Sequence, residues 1–257
     1  MATVSDEFEV QRLFPTPIGQ YDVEFTDQEQ DAIDKYCNLD YARHNSYKVD
    51  GGKGVNIQFD PYQKPEERAK HPVWDDDFLI MYPGTNILNS EEFQTLKNTV
   101  CELGEHYMRE VWGANAHPEC YLDVSDSWII RQKATANYET PFHRKHNHAF
   151  AWFTGVIYVQ DTPNGTVLHP DKDIDHPLLP FAWPLHNTPY NANHFQVEAK
   201  KGRIIIFPGS MYHSIVNNQD GQVRYTIPFN LWPYGNISTD NSTMLSYNKV
   251  DLFSVER

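Results

Sequence analysis

The chain has 257 residues, with 21 Lys and Arg against 35 Asp and Glu, for a formal net charge of -14. Hydrophobic residues at 40% and aromatics at 14% supply a large core and argue against disorder. The acidic balance disfavours a nucleic-acid backbone or anionic membrane as partner, since both bind positive footprints, and no apolar run approaches a transmembrane length. The start MATVSDEFEV lacks the basic and apolar regions of a secretory leader, and Cys37, Cys101 and Cys120 are odd in number and widely spaced. A reduced, cytoplasmic setting is the expectation. The length suits a single domain over 1–257.

Residues Tyr21, Val23 and Phe25 alternate with polar neighbours and predict a short strand. Thr26-Asp27-Gln28-Glu29 is a capping-box pattern that opens a helix reaching about Asn38. Residues 41–88 have no sustained period and read as loops. From Ser90, the residues Phe93, Leu96, Val100, Leu103, Tyr107 and Val111 recur at helical spacing, and Gly113 ends that helix. After Cys120 the pattern changes to strands: Tyr121–Val124, Ser127–Lys133, Ala151–Gln160, Thr166–Leu168, Phe195–Val197, Arg203–Phe207 and Val223–Leu231. Turn signals such as Pro163-Asn164-Gly165, Gly202 and Asp220-Gly221 separate them. The expected organisation is an N-terminal strand with supporting helices (1–118), an all-β sandwich or barrel (119–235) and a C-terminal tail (236–257). The proline-rich stretch from His169 to His194 is long enough to be a functional loop.

Eight of the twelve histidines fall between His143 and His213. In a strand, residues two apart share a face, so His146 and His148 could offer two imidazoles to one ion. A solvated polar turn would read the same way. His213 follows a buried strand and the Pro208-Gly209 turn, and is either a satisfied turn residue or a third ligand. Arg224 enters an apolar strand, where its charge needs an anion. A ligand carboxylate would serve, as would one of the chain's own acids.

These pieces, His146-x-His148, then Trp152-Phe-Thr-Gly-Val-Ile-Tyr158-Val, then Gly202 to His213, then Arg224-Tyr-Thr-Ile, together resemble the 2-oxoglutarate/Fe(II)-dependent oxygenases. The nearest branch is the prolyl-hydroxylase-like oxygenases of marine bacteria and their phages, whose N-terminus Leu13-Phe-Pro-Thr-Pro-Ile18 also resembles. The resemblance implies a mainly β fold with supporting helices around a double-stranded β-helix (jelly-roll) core. It implies a dioxygenase that uses Fe(II), 2-oxoglutarate and O2 to hydroxylate a peptide side chain or small molecule, in the host cytoplasm if phage-encoded. On the matching positions, His146 and His213 would bind iron. Arg224 would hold the distal carboxylate of 2-oxoglutarate, with Tyr158 on the same carboxylate. Tyr138 would lie near the cosubstrate or serve as a strand aromatic. The departure is His148, which stands where the pattern has a carboxylate. Either three histidines suffice, or a carboxylate such as Glu139 or Asp161 completes the site, or the chain is a degenerate member. His143 is a reserve ligand. Trp183 and His186 are candidates for lining the substrate under the loop.

Two other readings compete. The spacing of Gly202, Pro208, His213 and Asn217 resembles the late motif of cupins, but no Glu follows H-x-H in the expected window and Arg224 has no role there. A non-catalytic jelly-roll binding protein or virion component would also suit an aromatic-rich β chain.

Overall fold

The computed structural model describes residues 16–38, 78–81, 86–114, 116–133, 145–162, 165–170, 194–215, 223–237 and 246–247. Chain order is β1 (Gly19–Asp22), α1 (Asp27–Cys37), β2 (Phe78–Met81), α2 (Gln94–His106), β3 (Tyr121–Ser127), β4 (Ile129–Lys133), β5 (Phe153–Tyr158), β6 (Thr166–Leu168), β7 (Phe195–Gln196), β8 (Arg203–Pro208), β9 (His213–Ile215), β10 (Val223–Asn236) and β11 (Ser246–Tyr247). The major sheet runs β1-β8-β5-β10-β4-β2, with β3 and β11 also on β10, and the minor sheet runs β7-β6-β9. All of the pairings are antiparallel. Two antiparallel sheets facing each other, one of them backed by helices, form the jelly-roll core expected from the sequence.

β5 and β8, central in the major sheet, are buried on both faces, which explains why they read as largely unbroken hydrophobic runs. Phe153, Ile157, Ile204, Ile206, Ile227, Phe229 and Leu231 point to the helices and join Ile33, Tyr36, Leu96 and Val100 in one cluster. Val156, Tyr158, Ile205 and Phe207 point the other way and meet Leu168, Val197 and Met211. Side chains alternate along a strand, so one sequence run supplies two cores.

The N-terminal helix forms as the capping box predicts. Glu29 N–H donates to Thr26 Oγ1 and Thr26 N–H donates to a Glu29 carboxylate oxygen. In α2 the expected stripe holds through Tyr107, but Val111 is 41% exposed and Met108 is buried in its place. The cause is a π turn over Tyr107–Val111, where Trp112 N–H donates to the Tyr107 carbonyl five residues back. The wider turn rotates later residues off the stripe. Gly113 then ends the helix with φ +62°. Where 41–88 is described, the expected loop is corrected: β2 pairs with β4, and Ile87–Asn89 forms a 3-10 turn with Ile87 and Leu88 fully buried, while 41–77 and 82–85 lie outside the described residues.

β10 organises the site. Its first residues pair with β4, its middle with β5 and its later residues with β3. Pro228 has no N–H to offer, and only its carbonyl bonds across, to Trp128 N–H. The ladder therefore breaks at Trp128, between β3 and β4. Among the described residues no helix is long and apolar enough to cross a membrane.

Gly155 shows how closely the layers approach. A methyl there would lie 2.3 Å from both the Phe229 ring and the Ile205 carbonyl oxygen. Gly155→Ala is expected to cost about 1–3 kcal/mol through overpacking, read as a lower urea midpoint. A native midpoint would contradict this packing.

Candidate metal and anion site

Backbone pairing brings the histidines together. His146 and His213 form an antiparallel bridge in which each N–H donates to the other's carbonyl, at 2.9 and 2.8 Å. Such pairs bring Cα atoms to about 5.5 Å, close enough for both rings to reach one ion. His148 N–H donates to the Gly209 carbonyl at 2.9 Å, which fixes the second imidazole. A Cβ on Gly209 would lie 2.1 Å from the Ala151 carbonyl oxygen, so the Pro208-Gly209 turn needs glycine to approach the H-x-H segment. The segment is extended at this one bridge and does not form a longer strand.

One ligand atom from each of His146, His148 and His213 lies within 4.8 Å of the others. The ring centroids are 4.3 to 5.6 Å apart. His213 is buried, and its Nδ1 lies 3.2 Å from the Met211 carbonyl. A proton on Nδ1 makes that bond and leaves Nε2 as the lone-pair nitrogen. Burial and the neighbouring imidazoles push His213 well below the ordinary histidine range. Burial first, then His146, push His148 down to about 4. Neutral imidazoles are the form that binds metal. Trp128 stacks on His148 with centroids 5.8 Å apart and planes 9° from parallel.

The same cleft contains Arg224. Along β10, Arg224, Thr226 and Pro228 line it while Ile227, Phe229 and Leu231 face the helices. Trp128, Ile130, Thr154, Val156, Thr166 and Ile215 complete the walls around about 420 Å³ of free space, part of it open to solvent. Arg224 is 4% exposed, and its Nε and Nη1 are buried without a hydrogen-bond partner. Burial pulls its pKa below the usual arginine value, with the Tyr158 hydroxyl opposing. The guanidinium lies 5.6 Å over the Tyr158 ring. Tyr158 Oη donates to Thr166 Oγ1 at 2.8 Å and accepts from Thr166 N–H at 2.9 Å, so the hydroxyl is held against the wall rather than aimed into open space.

The chain's other buried arginines behave differently. Arg203 pairs with Asp22 and Glu198, both at 2.9 Å, and is held above its ordinary pKa by them. Arg131 donates through Nε to Tyr225 Oη, while its Nη1 is buried without a partner. Arg224 alone of the three lines the cleft with the histidines. Three imidazoles beside a buried arginine with unsatisfied donors suit a divalent metal and a small anion that reaches both.

The remaining site expectations divide in two. Asp161 is corrected as a candidate metal ligand: its Oδ1 accepts from Lys201 N–H at 2.7 Å, and it is not in the histidine cluster. His169 bonds through Nε2 to Ser214 Oγ at 2.8 Å. Tyr138, Glu139, His143, Trp183, His186, Asn217 and most of the 169–194 loop lie outside the described residues. Sequence reasoning missed Trp128, Thr166, Thr226 and Asn230. The available signal was the alternation in β10, where 224, 226, 228 and 230 are Arg, Thr, Pro and Asn while 227, 229 and 231 are Ile, Phe and Leu.

An unpaired buried guanidinium gives a test of its own. Arg224→Met is expected to raise the stability of ligand-free protein by about 1–3 kcal/mol, since it removes unsatisfied donors. The same change should reduce stabilisation by added 2-oxoglutarate. Equal destabilisation with and without the ligand would contradict the anion role.

Residues 126–230 match the family described as "Putative 2OG-Fe(II) oxygenase". No curated protein matches the chain. Among solved structures, a Pseudomonas putida prolyl-4-hydroxylase is 10% identical, with 84% of this chain and 92% of that one covered and a TM-score of 0.46. A prolyl hydroxylase from Trichoplax adhaerens, in complex with a hypoxia-inducible-factor peptide fragment, is 9% identical over 84% of this chain and 82% of that one, with a TM-score of 0.48. HygX from Streptomyces hygroscopicus, with nickel, 2-oxoglutarate and hygromycin B bound, is 10% identical with the same shares covered and a TM-score of 0.44. The family uses Fe(II), 2-oxoglutarate and O2. Residues 126–230, which span H-x-H, the Pro-Gly turn, His213 and Arg224, are thus similar in sequence to the 2OG-Fe(II) oxygenase family.

Proposed function

We propose that the chain is an Fe(II)- and 2-oxoglutarate-dependent dioxygenase that hydroxylates a peptide side chain or a small molecule. The observation that carries this reading is the buried, unpartnered edge of Arg224 in the cleft lined by His146, His148 and His213. In this assignment the three histidines hold the metal and Arg224 receives the distal carboxylate of 2-oxoglutarate. Bound Fe(II) supplies the oxygen chemistry. The protein binds the cosubstrate at both ends, orients it along β10 and keeps water out with the apolar walls of Trp128, Ile130, Val156 and Ile215.

The ligand set shifts the charge balance. Three neutral imidazoles leave the full charge of a divalent ion uncompensated. A dianionic 2-oxoacid would offset two of the three positive charges of that ion and Arg224, so cosubstrate and metal should bind interdependently. Tyr158 contributes by closing the wall behind Arg224 through Thr166. The net charge of -14 supports a neutral or basic peptide or a small molecule over nucleic acid as substrate. The extent of the domain is proposed as 1–257, with the helices of the N-terminal part buttressing the catalytic sheet.

Calorimetric titration of 2-oxoglutarate into Mn(II)-loaded protein tests the reading without turnover. One binding site is expected, weakened about 10- to 100-fold in Arg224→Met through loss of charge-assisted hydrogen bonds. Binding should disappear when metal is withheld or in His148→Ala. Absence of 2-oxoglutarate binding to the metal-loaded native protein would overturn it.

A further inference from the structure

His148 is the residue that departs from the family pattern, and the structure places beside it Asn230, itself bonded to Asp126, neither of which any motif predicted. Asn230 follows Arg224, Thr226 and Pro228 on the cleft side of β10, just before the β3 register shifts between Asn230 and Leu231. It is 8% exposed. Its Nδ2 donates to both carboxylate oxygens of Asp126, at 3.0 and 2.9 Å. That commitment leaves one direction for the amide carbonyl, and Oδ1 is buried with no donor in hydrogen-bonding geometry. A buried acceptor left unpaired costs about 1–3 kcal/mol, so its presence calls for a use.

The neighbour is His148. Its ring lies flat against Trp128, and Trp128 sits opposite Pro228, two residues from Asn230 on the same face of β10. The Asn230 side chain is within reach of the His148 ring. A ring held by stacking on one side can still turn in its plane to complete a bond at its edge.

We infer that Asp126 and Asn230 form a relay that positions His148 as the third metal ligand: Asp126 fixes and polarises the Asn230 amide, and Asn230 Oδ1 accepts the N–H of the His148 nitrogen that does not face the metal. The inference rests on the proposed metal site. It gives His148 the arrangement that His213 already has, in which one ring N–H is held by an oxygen (the Met211 carbonyl) and the other nitrogen is free to ligate. An accepted N–H also raises the basicity of the ligating nitrogen. Through the polarised amide, the Asp126 charge then reaches the metal from one layer out, partly replacing the carboxylate that the family pattern places in direct contact. Asp126 and Asn230 are positioning residues in this account and do not touch the reacting atoms.

The test uses full-length protein loaded with Co(II), followed by titration and by the paramagnetically shifted, exchangeable histidine N–H signals. Native protein should bind one Co(II) and show a slowly exchanging N–H for His148. Asn230→Ala should weaken Co(II) binding about 10- to 100-fold and remove or broaden that signal. Asp126→Asn, which preserves volume, should shift both readouts the same way by less, and it decides the matter if Asn230→Ala does not fold. Asn230→Ala with Asp126→Asn should equal Asn230→Ala alone, because a relay broken once is not broken further. Native Co(II) affinity and an unchanged N–H signal in folded variants would reduce the pair to a clamp between β3 and β10 and overturn the relay alone. Failure of the native protein to bind Co(II) would overturn the metal site and the relay together.

Discussion

A guanidinium buried with no counter-ion among the described residues is the constraint on which this site turns. Folding places Arg224 at 4% exposure on the central strand, with Nε and Nη1 unsatisfied. Burying a charge is costly unless it is paired, and the fold shows that it can supply a pair where one is wanted: Arg203 has Asp22 and Glu198. No carboxylate among the described residues does the same for Arg224. Among the described residues this interaction is left incomplete, and in the proposed assignment an anionic ligand completes it. The rest follows from geometry. β10 directs Arg224, Thr226 and Pro228 into the cleft, and the minor sheet presents His213 from the facing side.

The two sheets divide the work. The helix-side face of the major sheet is mostly aliphatic and aromatic, which fixes strand register because a one-residue slip would invert every side chain. With that face committed, the inner face can carry Arg, Thr and Asn, each placed by its parity. The same economy explains the proline in a central strand. Pro228 lacks an N–H, and the ladder gap it leaves falls at Trp128, whose indole then stacks on His148. A local defect in pairing thus shapes the wall of the metal site.

Much of this was legible in the sequence, and the parts that were not share a physical reason. Thr26 and Glu29 announced a helix start because a capping box is a contact within four residues. Arg203 to Phe207 announced a strand buried on both faces by its uninterrupted run. His146, His213 and Arg224 were placed by order and spacing, and the structure brings all three to one cleft. β2 was missed because its existence depends on β4 as a partner, not on a local period. Val111 was assigned to the buried stripe because a π turn changes phase without leaving a mark in the hydrophobic pattern. Asp126 and Asn230 stayed invisible for a third reason: they lie 104 residues apart, and the bond between them exists only once β3 and β10 pair. Asp161 looked available as a carboxylate in sequence, but the turn at Lys201 uses it.

In the proposed assignment His146, His148, His213 and Arg224 together form a single site for Fe(II) and 2-oxoglutarate. Anaerobic addition of Fe(II) and then 2-oxoglutarate, followed by visible absorption, addresses it directly, because a metal-to-ligand charge-transfer band requires both groups in contact. The account predicts a band that saturates at one equivalent of each and is lost in Arg224→Met at matched concentrations. Stoichiometric iron binding with no band on adding 2-oxoglutarate, or no iron binding at all, would contradict it.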